Sequence, residues 1–280
     1  IDISKLLNED RTIDLLSLEL VTRLGINFLD SIISRSIYPT DDIYKWAINN
    51  RAIGLGIMGL ADYFLKRKII YGSPESLEEL EFIMNFIYKI AEDESIILGE
   101  ELGVPSACKN LPNPRRNITL LSIAPTGSIS LLAGCSSGIE PIFSEITNRK
   151  DTTGTYQLIH PDSNEDYFRC AVSSNGIKEV SWNEHLLIQN SAQRFVDSGV
   201  SKTINCPNGT RKKTIYDLFL TAWKLPYIKG LTVYRNGSRK EEVLTPKNLK
   251  KDMCPVCGSE LVKGVGCKKC DNCGFGLCDA

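Results

Sequence analysis

The chain has 280 residues, of which 42% are hydrophobic and 24% are charged, and its formal net charge is -1. This size allows one large domain with its own core, alone or with a small module, and the balanced charge argues against a general attraction to nucleic acid or an anionic membrane. No stretch approaches the roughly 18 uninterrupted apolar residues of a membrane-spanning helix. The first residues lack a signal-peptide pattern and an initiator Met, so we expect a segment of a longer protein.

The ten cysteines are unevenly distributed. Six of them lie in the last 27 residues, and the other four are scattered singly at Cys108, Cys135, Cys170 and Cys206. Paired cysteines in a terminal cluster are typical of metal or redox sites in a reducing compartment rather than of secreted disulfide frameworks. We therefore expect a cytoplasmic protein that does not bind membranes.

Four helices are predicted in the first 103 residues. The first has apolar residues at helical spacing on one side, namely Leu16, Leu20, Leu24, Phe28 and Ile32. The second begins after Thr40, whose hydroxyl can cap its first turn. The third covers GLADYFLKRK, and the fourth runs from a cap at Ser76 to Gly103.

A glycine motif precedes the third helix. Gly54, Gly56 and Gly59 have the G-x-G-x-x-G spacing of dinucleotide-binding turns. Such a turn must follow a strand, whereas the residues before this motif are predicted to be helical almost up to it. We therefore interpret the glycines as small residues that allow helices to pack closely.

A predicted strand from Ile118 to Ile123 runs into Pro125-Thr126-Gly127-Ser128-Ile129, and a short helix then closes near Gly134. Proline has no N–H to give to a sheet, and glycine allows the tight turn. A helix that begins here presents free backbone N–H groups, two hydroxyls and the positive end of its dipole. Such a terminus can bind an anion, above all a phosphate, although a capped turn without a ligand explains the same residues.

The rest of the main domain alternates between helices and strands. Residues 147–182 are polar and are predicted to form surface loops; a helix at EHLLIQNSAQRFVDSG, a strand at SKTINCP, a helix at TIYDLFLTAWKL and a strand at KGLTVYR follow. This alternation without hairpin signals favours an α/β fold. We assign this domain to residues 1–239 and a charged linker to residues 240–253.

Residues 254–280 form a cysteine-rich module with two C-x-x-C-G knuckles, Cys254 with Cys257 and Cys270 with Cys273. Four thiolates at this spacing can bind Zn²⁺ tetrahedrally, so the module is predicted to be a zinc ribbon whose metal supplies most of its folding free energy. Disulfides are the simpler alternative. A rival ligand set consists of Cys254, Cys257, Cys267 and Cys270.

Four stretches together resemble the C-terminal half of the catalytic chain of ribonucleotide reductases. They are RAIGLGIMGLAD, IAPTGSISLLAGCSSGIEP, VSKTINCPNGT and KGLTVYRNGSR, and their order and intervals match as well. The amino-acid sequence of the second stretch is similar to that of the adenosylcobalamin-dependent class. The resemblance implies the second half of a ten-stranded α/β barrel made of two five-stranded halves, followed here by the small zinc-ribbon module.

In this family, the loop that corresponds to Pro125, Thr126, Gly127, Ser128 and Ile129 holds the phosphates of the ribonucleotide substrate. Radical abstraction at the ribose requires a firmly held sugar, and the phosphates are its best handle. The resemblance therefore implies a ribonucleoside-diphosphate reductase that makes 2′-deoxyribonucleotides by thiyl-radical chemistry. Whether the substrate is a diphosphate or a triphosphate stays open.

The family's radical cysteine lies in an Asn-x-Cys-x-Glu motif, which this sequence lacks. The resemblance implies that this motif, the two cysteines that reduce the ribose and the effector site all belong to the N-terminal half of the reductase. The chain is then incomplete on its own, as a fragment or as one half of a split enzyme. We interpret Cys135, which lies beside two serines, as a structural thiol.

One strand distinguishes between the classes of reductase. Members that receive their radical from a small subunit carry two adjacent tyrosines on the strand that corresponds to LTVYR, whereas this chain has Val233 and Tyr234. The interrupted pair favours a radical generated locally from adenosylcobalamin. The large subunit of a small-subunit-dependent reductase is the alternative among enzymes.

The resemblance also implies a mobile C-terminal cysteine pair that re-reduces the active site and is itself reduced by thioredoxin or glutaredoxin. This pair is Cys267 and Cys278 with the first zinc ligand set, and Cys273 and Cys278 with the rival set. Fourteen flexible linker residues span roughly 20 Å on average. The tail therefore acts on a nearby active site or on the neighbouring subunit of a homodimer.

A zinc-ribbon regulatory protein that binds nucleic acid is the alternative from a different functional class. From Pro246 onward there are six lysines and four acids, and Phe275 is the only aromatic residue. These residues are too few to stack on bases or to bind a phosphate backbone, so we expect no nucleic-acid partner.

Overall fold

The computed structural model describes residues 1–151, 154–173 and 176–238, and four short strands in the remainder of the chain. The helices in the described residues are α1 (Leu15–Arg35), α2 (Asp41–Asn50), α3 (Leu60–Arg67), α4 (Pro74–Leu102), α5 (Gly127–Ala133), α6 (Trp182–Gln193) and α7 (Lys212–Lys224). Short 3₁₀ turns lie at Ile3–Lys5 and Ser106–Cys108. None of the described helices is long and apolar enough to cross a membrane.

The described strands form three groups. They are β1 (Ile146–Asp151), β2 (Gly154–Ile159), β3 (Thr203–Cys206), β4 (Thr232–Arg235), β5 (Leu244–Pro246), β6 (Leu261–Lys263), β7 (Cys267–Cys270) and β8 (Gly276–Cys278). Strand β1 pairs antiparallel with both β2 and β5, and β3 pairs in parallel with β4. In the tail, β7 pairs antiparallel with β6 and β8.

Parallel extended segments form the centre of the main domain. The segment after α2 meets the segment after α4 at Leu55 and Leu121, and the latter meets the segment after α6 at Ile123 and Val200. That third segment continues into β3, which pairs with β4. Each connection between these parallel neighbours contains at least one helix, as parallel pairing requires. The predicted α/β fold is therefore confirmed.

The core lies between these parallel segments and the helices α1, α3, α4 and α6. Its fully buried side chains include Leu18, Ile26, Leu60, Tyr63, Phe64, Leu80, Ile83, Ile87, Leu120, Leu121 and Ile188. Each large apolar side chain buried in this way contributes roughly 1.5–3 kcal/mol. The segment that ends at Ile123 is thus anchored by its own side chains immediately before the predicted anion site.

A buried polar network connects α1, the end of α2 and the segment after α4. The carboxylate of Asp30 accepts hydrogen bonds from Arg51 Nε at 2.6 Å and from Asn117 Nδ2 at 2.9 Å. Arg51 has left-handed backbone (φ 45°), and its guanidinium also donates to the Asp30 carbonyl at 2.6 Å. Ser95 of α4 donates to Asn117 Oδ1 at 2.9 Å. The network therefore fixes where both extended segments begin.

The caps of two helices test the sequence predictions. Thr40 Oγ1 accepts from the backbone N–H of Ile43 at 3.4 Å, so the predicted start of α2 is confirmed. Helix α4 begins earlier than predicted: its cap is Ser73, whose Oγ accepts from the N–H of Ser76 at 3.2 Å. The reason is Pro74, which is well suited to the first position of a helix because it needs no hydrogen-bond acceptor there.

Two further predictions need correction. Helix α6 ends at Gln193 rather than Gly199, because the Gln193 side chain donates to the carbonyls of Val196 and Ser198 at 3.0 and 2.8 Å and holds the chain in a turn. The polar region 147–182 is not all loop, since β1 and β2 form an antiparallel hairpin. The apolar alternation on which strand prediction relies is weak there, whereas Thr, Tyr and Ile still favour extended backbone.

Helix α1 is confirmed, and its apolar stripe faces outward. The opposite side, with Leu18 and Ile26, is buried against α4. The stripe residues Leu16, Leu20, Leu24, Phe28 and Ile32 are 81, 59, 59, 67 and 43% exposed. Within the described part of the chain, no element covers this side.

The glycines of the G-x-G-x-x-G motif allow two backbones to approach closely. A Cβ atom added to Gly56 would lie 2.1 Å from the carbonyl oxygen of Ser122, and one added to Gly54 would lie 2.3 Å from Ser122 Oγ. Both glycines belong to the extended segment after α2, so our interpretation of helix-to-helix packing was wrong. The close approach is between parallel extended segments.

Substitution Gly56→Ala should therefore lower the free energy of unfolding by about 1–3 kcal/mol, because the two segments must move apart to admit a methyl group. The measurement is urea unfolding followed by circular dichroism. Gly209→Ala is the matched control, since a Cβ atom there meets open space. Equal stability of the two variants would contradict the packing argument.

Candidate functional site

The predicted turn between strand and helix is present at residues 124–134. The chain leaves the parallel segments after Ile123, and α5 begins at Gly127. Gly134 ends the helix with left-handed backbone, and its N–H donates to the carbonyl of Leu131 at 3.3 Å. The predicted short helix closed near Gly134 is therefore confirmed.

Thr126 has an unusual backbone conformation. Its φ of 53° and ψ of 21° are left-handed, a region that β-branched residues rarely adopt. Strain of this kind costs about 1–3 kcal/mol and persists only where other contacts impose it. Here the Gly138 N–H donates to Thr126 Oγ1 at 2.8 Å, and the Ser130 N–H donates to the Thr126 carbonyl at 2.9 Å.

The loop presents hydrogen-bond donors to solvent. Within the described residues, the backbone N–H groups of Gly127, Ser128 and Ile129 have no acceptor, as expected for the first turn of a helix. All three residues are exposed, as is Pro125. Because an N–H already fills one acceptor position of Thr126 Oγ1, its own proton is available to a ligand. The structure thus brings the five predicted phosphate-binding residues together around one set of free donors.

The second half of the motif, GCSSGIEP at 134–141, supports this loop from behind. Ser130 Oγ and Ser137 Oγ are hydrogen-bonded at 2.8 Å. The Gly59 N–H donates to the Ser136 carbonyl at 2.8 Å, and the Ser136 N–H donates to Asp62 Oδ2 at 2.5 Å. The two halves of the motif are therefore one interlocked unit attached to the start of α3.

A cleft of about 260 Å³ lies beside the loop. Thr126 and Ile129 form one side of it, and Gly54, Gly56 and Ser122 form another. The cleft therefore lies next to the free donors of the loop. A ligand bound through an anionic group has room for its neutral part there.

A buried charged cluster, which the sequence analysis did not identify, follows the loop. The ammonium of Lys202 donates to Glu140 Oε2 at 2.5 Å, to His185 Nδ1 at 2.7 Å and to the carbonyl of Thr203 at 2.9 Å. The Thr203 N–H donates to Glu140 Oε1 at 2.6 Å. No sequence signal marks such a cluster, because a single Lys at the start of a strand is usually solvated.

Charge and burial fix the protonation of this cluster. Burial, and then the neighbouring Lys202 cation, hold the pKa of His185 well below its usual 6.5. Burial also lowers the pKa of Lys202, and the Glu140 carboxylate opposes this shift. The neutral imidazole accepts through Nδ1, so its proton is on Nε2.

Cys135 is half-buried next to the loop. Burial, with additional effects of the Asp2 and Asp62 carboxylates, raises the pKa of this thiol to about 11. A protonated thiol is a poor nucleophile, and no hydrogen bond joins it to His160 or His185 in the described residues. These observations support our interpretation of Cys135 as a structural thiol.

Only part of the cysteine-rich tail is described. The predicted zinc ligands Cys254, Cys257 and Cys273 lie outside the described residues, whereas Cys270 lies in β7. Among the described residues, no three metal-binding side chains come together. The tail strands do give a backbone register, in which Cys267 is opposite Cys278 and Leu261 is opposite Cys270.

Comparisons with known proteins match most of the chain. A family model described as "Ribonucleotide reductase, barrel domain" matches residues 1–113 and 112–234. The vitamin B12-dependent ribonucleoside-diphosphate reductase of Thermoplasma acidophilum is 34% identical over 277 residues, which is 88% of this chain and 36% of that protein.

Two other relatives carry reductase names as well. The vitamin B12-dependent ribonucleoside-diphosphate reductase of Mycobacterium tuberculosis is 31% identical over 97% of this chain and 43% of its own length. Ribonucleoside-diphosphate reductase subunit alpha of Helicobacter pylori is 28% identical over 73% of this chain and 31% of its own length. The chain thus spans less than half the length of these relatives.

The neutral His185 makes stability depend on pH. Below pH 6.5 the unfolded chain binds a proton at this residue that the folded chain does not. Its contribution to the free energy of unfolding is therefore complete above pH 6.5 and is lost by up to about 1.4 kcal/mol per pH unit as the pH falls. Urea unfolding between pH 7.5 and 5 measures this.

The matched variant is His185→Asn, whose amide oxygen can accept from Lys202 and does not titrate. The difference in stability between the two proteins is the quantity to compare. Burial raises the pKa of Glu179 to about 7, and this shift acts in the opposite direction in both proteins. A difference that does not change with pH would contradict a neutral, buried His185.

Proposed function

The chain belongs to the ribonucleotide reductase family, and we propose that it supplies the C-terminal half of the catalytic barrel of a ribonucleoside-diphosphate reductase. That enzyme would be an oxidoreductase that converts ribonucleotides to 2′-deoxyribonucleotides by thiyl-radical chemistry. The observation that carries the proposal is the set of free donors at residues 126–129, beside an open cleft.

In this proposal the phosphates of the substrate bind at the start of α5. The N–H groups of Gly127, Ser128 and Ile129 and the hydroxyls of Thr126 and Ser128 are the donors, and the helix dipole adds to their attraction. Pro125 turns the chain away from the parallel segments and leaves these donors exposed. A sugar held by its phosphates in this way can be placed accurately for radical chemistry.

The radical cysteine motif would come from the N-terminal half of the reductase. The apolar stripe of α1 supports such a partner, since five large side chains on one side of a helix are 43–81% exposed. Phe28 of this stripe and Ile129 of the loop line the same cleft. An apolar surface that covered α1 would therefore also reach the substrate site.

We propose adenosylcobalamin as the radical source, in agreement with the names of the relatives from Thermoplasma and Mycobacterium. When bound, this cofactor supplies a radical through homolysis of its cobalt–carbon bond. The neighbours of Tyr234 on β4 are Val233 and Arg235, so no second tyrosine is adjacent to it to relay a hole. The large subunit of a small-subunit-dependent reductase is the alternative, and the Helicobacter relative is named a subunit alpha.

For the tail we propose a zinc ion bound by Cys254, Cys257, Cys270 and Cys273. The β6–β7 pairing supports this set, because Leu261, which follows the first knuckle in the sequence, is opposite Cys270 of the second knuckle. The rival set uses both Cys267 and Cys270, whose Cα atoms are about 10 Å apart in an extended strand. That spacing is poor for two ligands of one ion.

We propose Cys267 and Cys278 as the redox pair that transfers electrons to the active site. They are directly opposite in the antiparallel β7–β8 register. Opposed residues in such a pair have Cα atoms about 4.5–5.5 Å apart, which is within the range that a disulfide bridges. The alternative pair, Cys273 and Cys278, involves a residue outside the described part of the chain.

Thioredoxin or glutaredoxin would reduce this pair in the cytoplasm. The four cysteines of the main domain, Cys108, Cys135, Cys170 and Cys206, are free thiols, as expected in a reducing compartment. The linker of residues 240–253 contains β5, which pairs with β1, so it is shorter as a flexible segment than predicted; it would direct the tail to its own active site or to that of a second subunit. The nucleic-acid-binding alternative has no support from the few aromatic and basic residues of the tail.

Removal of the loop hydroxyls tests phosphate binding. In the complete reductase, Thr126→Ala combined with Ser128→Ala should raise KM or lower kcat, by about 10-fold for each hydrogen bond lost to a charged phosphate. Ser106→Ala, which removes an exposed hydroxyl from a 3₁₀ turn, is the control. Steady-state kinetics with unchanged effector binding is the measurement, and wild-type kinetics in the double variant would contradict the proposal.

Cysteine substitutions in the tail separate metal binding from redox function. Cys257→Ser should lose about one zinc per chain, measured by elemental analysis, because three thiolates do not complete a tetrahedral site. Cys278→Ser should keep the zinc and stop multiple turnover with thioredoxin, while a small dithiol that enters the active site restores it. Normal cycling of Cys278→Ser with thioredoxin would show that the tail is only structural.

Cys267→Ser then distinguishes the two assignments of the tail. Retained zinc with lost turnover supports Cys267 and Cys278 as the redox pair. Lost zinc supports Cys267 as a ligand and leaves Cys273 and Cys278 as the pair. The two results exclude each other, so the variant decides between them.

A further inference from the structure

We infer that Lys202 is a positioning residue for the phosphate loop and that it acts through Glu140 and Gly138 on the hydroxyl of Thr126. The inference rests on the proposed function, since it concerns the same ligand. It assigns a role to a buried charge that lies outside the loop itself.

The side chain of Lys202 is fully buried, with 0% of its surface exposed. Its partner Glu140 is 26% exposed, and burying the ammonium of such a pair usually adds little net stability, because the loss of hydration offsets the attraction between the charges. Apolar residues would fill the same space as well or better. We therefore explain the cluster by the way in which it positions the chain around it.

That geometry is a double attachment of the loop to one segment. At the entry to the loop, the Ser201 N–H donates to the Ile123 carbonyl at 2.8 Å. At its exit, Glu140 accepts from Lys202 Nζ at 2.5 Å and from the Thr203 N–H at 2.6 Å. Residues 199–203 thus hold both ends of the segment that contains α5.

The link to the ligand runs through Gly138, two residues before Glu140. Its N–H donates to Thr126 Oγ1 at 2.8 Å, and this bond leaves the proton of that hydroxyl free to point outward. Gly138 itself has left-handed backbone (φ 51°), and a Cβ atom added to it would lie 3.2 Å from the Ala124 carbonyl oxygen, so the position suits glycine. A shift of Glu140 therefore moves the group that orients the Thr126 hydroxyl.

His185 completes the attachment by holding Lys202 from the other side. Its Nδ1 accepts from Nζ at 2.7 Å, and it lies on α6, a helix packed against α4 and β3. The ammonium is therefore fixed between a rigid helix and Glu140. Because Lys202 and His185 belong to the core, the orientation of the hydroxyl is set before a ligand arrives.

The test measures ligand binding by calorimetry on the complete reductase, with a ribonucleoside diphosphate and with the corresponding nucleoside. Lys202→Met should weaken binding of the diphosphate about 10-fold, as for the loss of one hydrogen bond to a charged group, and should leave nucleoside binding unchanged. In a Thr126→Ala background, Lys202→Met should have almost no further effect, because both changes remove the same contact.

Arg23→Met is the control. It breaks an ion pair between α1 and α4, with Glu94 at 2.9 Å, and lowers the melting temperature without touching the loop or the segment that leads to it. If Arg23→Met weakens diphosphate binding as much as Lys202→Met does, the effect is a general loss of rigidity and the inference is wrong. Equal weakening for the nucleoside, or an additive effect with Thr126→Ala, overturns it as well.

A second variant covers the case in which Lys202→Met does not fold. Glu140→Gln with Lys202→Met removes both charges, so no unpaired ion stays buried, and the amide that replaces the Glu140 carboxylate keeps an oxygen for the Thr203 N–H. This variant should weaken diphosphate binding by at least about 3-fold, since the link to Lys202 is absent. Unchanged binding in it overturns the inference.

The proposed function and this inference fail in different ways. Normal diphosphate binding in the Lys202 variants, with weakened binding in Thr126→Ala, overturns the positioning role and leaves the phosphate loop in place. Unchanged diphosphate binding in Thr126→Ala combined with Ser128→Ala overturns both.

Discussion

The carboxylate of Asp30 is buried, and three parts of the chain meet to satisfy it. Arg51 ends α2 in a left-handed conformation so that its guanidinium can reach this carboxylate, and the chain then continues as the first parallel segment. Asn117, at the start of the second segment, donates to the same carboxylate. Because an unpaired buried charge is strongly destabilising, the two segments share a fixed origin and run side by side toward the loop at residues 124–134.

The loop itself depends on contacts from several segments rather than on its own sequence. Thr126 keeps a conformation that is unfavourable for its residue type because Gly138 and Ser130 bond to it. Behind these contacts lie the serine pair, the start of α3 and residues 199–203. A ligand that binds here meets donors that are already oriented, so little conformational entropy is lost on binding.

Local signals in the sequence were sufficient to locate the helices, though not the start of α4 or the end of α6, and to predict the turn at Pro125 and the α/β alternation. They failed where a distant segment decides the outcome. Position 56 must be glycine because the carbonyl of Ser122, which is distant in the sequence, lies against it. The role of Lys202 follows only from its contacts with Glu140 and His185. Helical periodicity locates the stripe of α1 but does not say whether that side meets a core or solvent.

The outward stripe of α1 also affects how the protein behaves when it is made. Side chains such as Leu16 and Phe28, which are 81 and 67% exposed, form an apolar patch that favours aggregation at the concentrations used in purification. Chains with such a surface associate with one another or are retained by chaperones until it is covered. Co-expression with the N-terminal half that we propose as the partner of α1 should therefore raise the soluble yield of this chain.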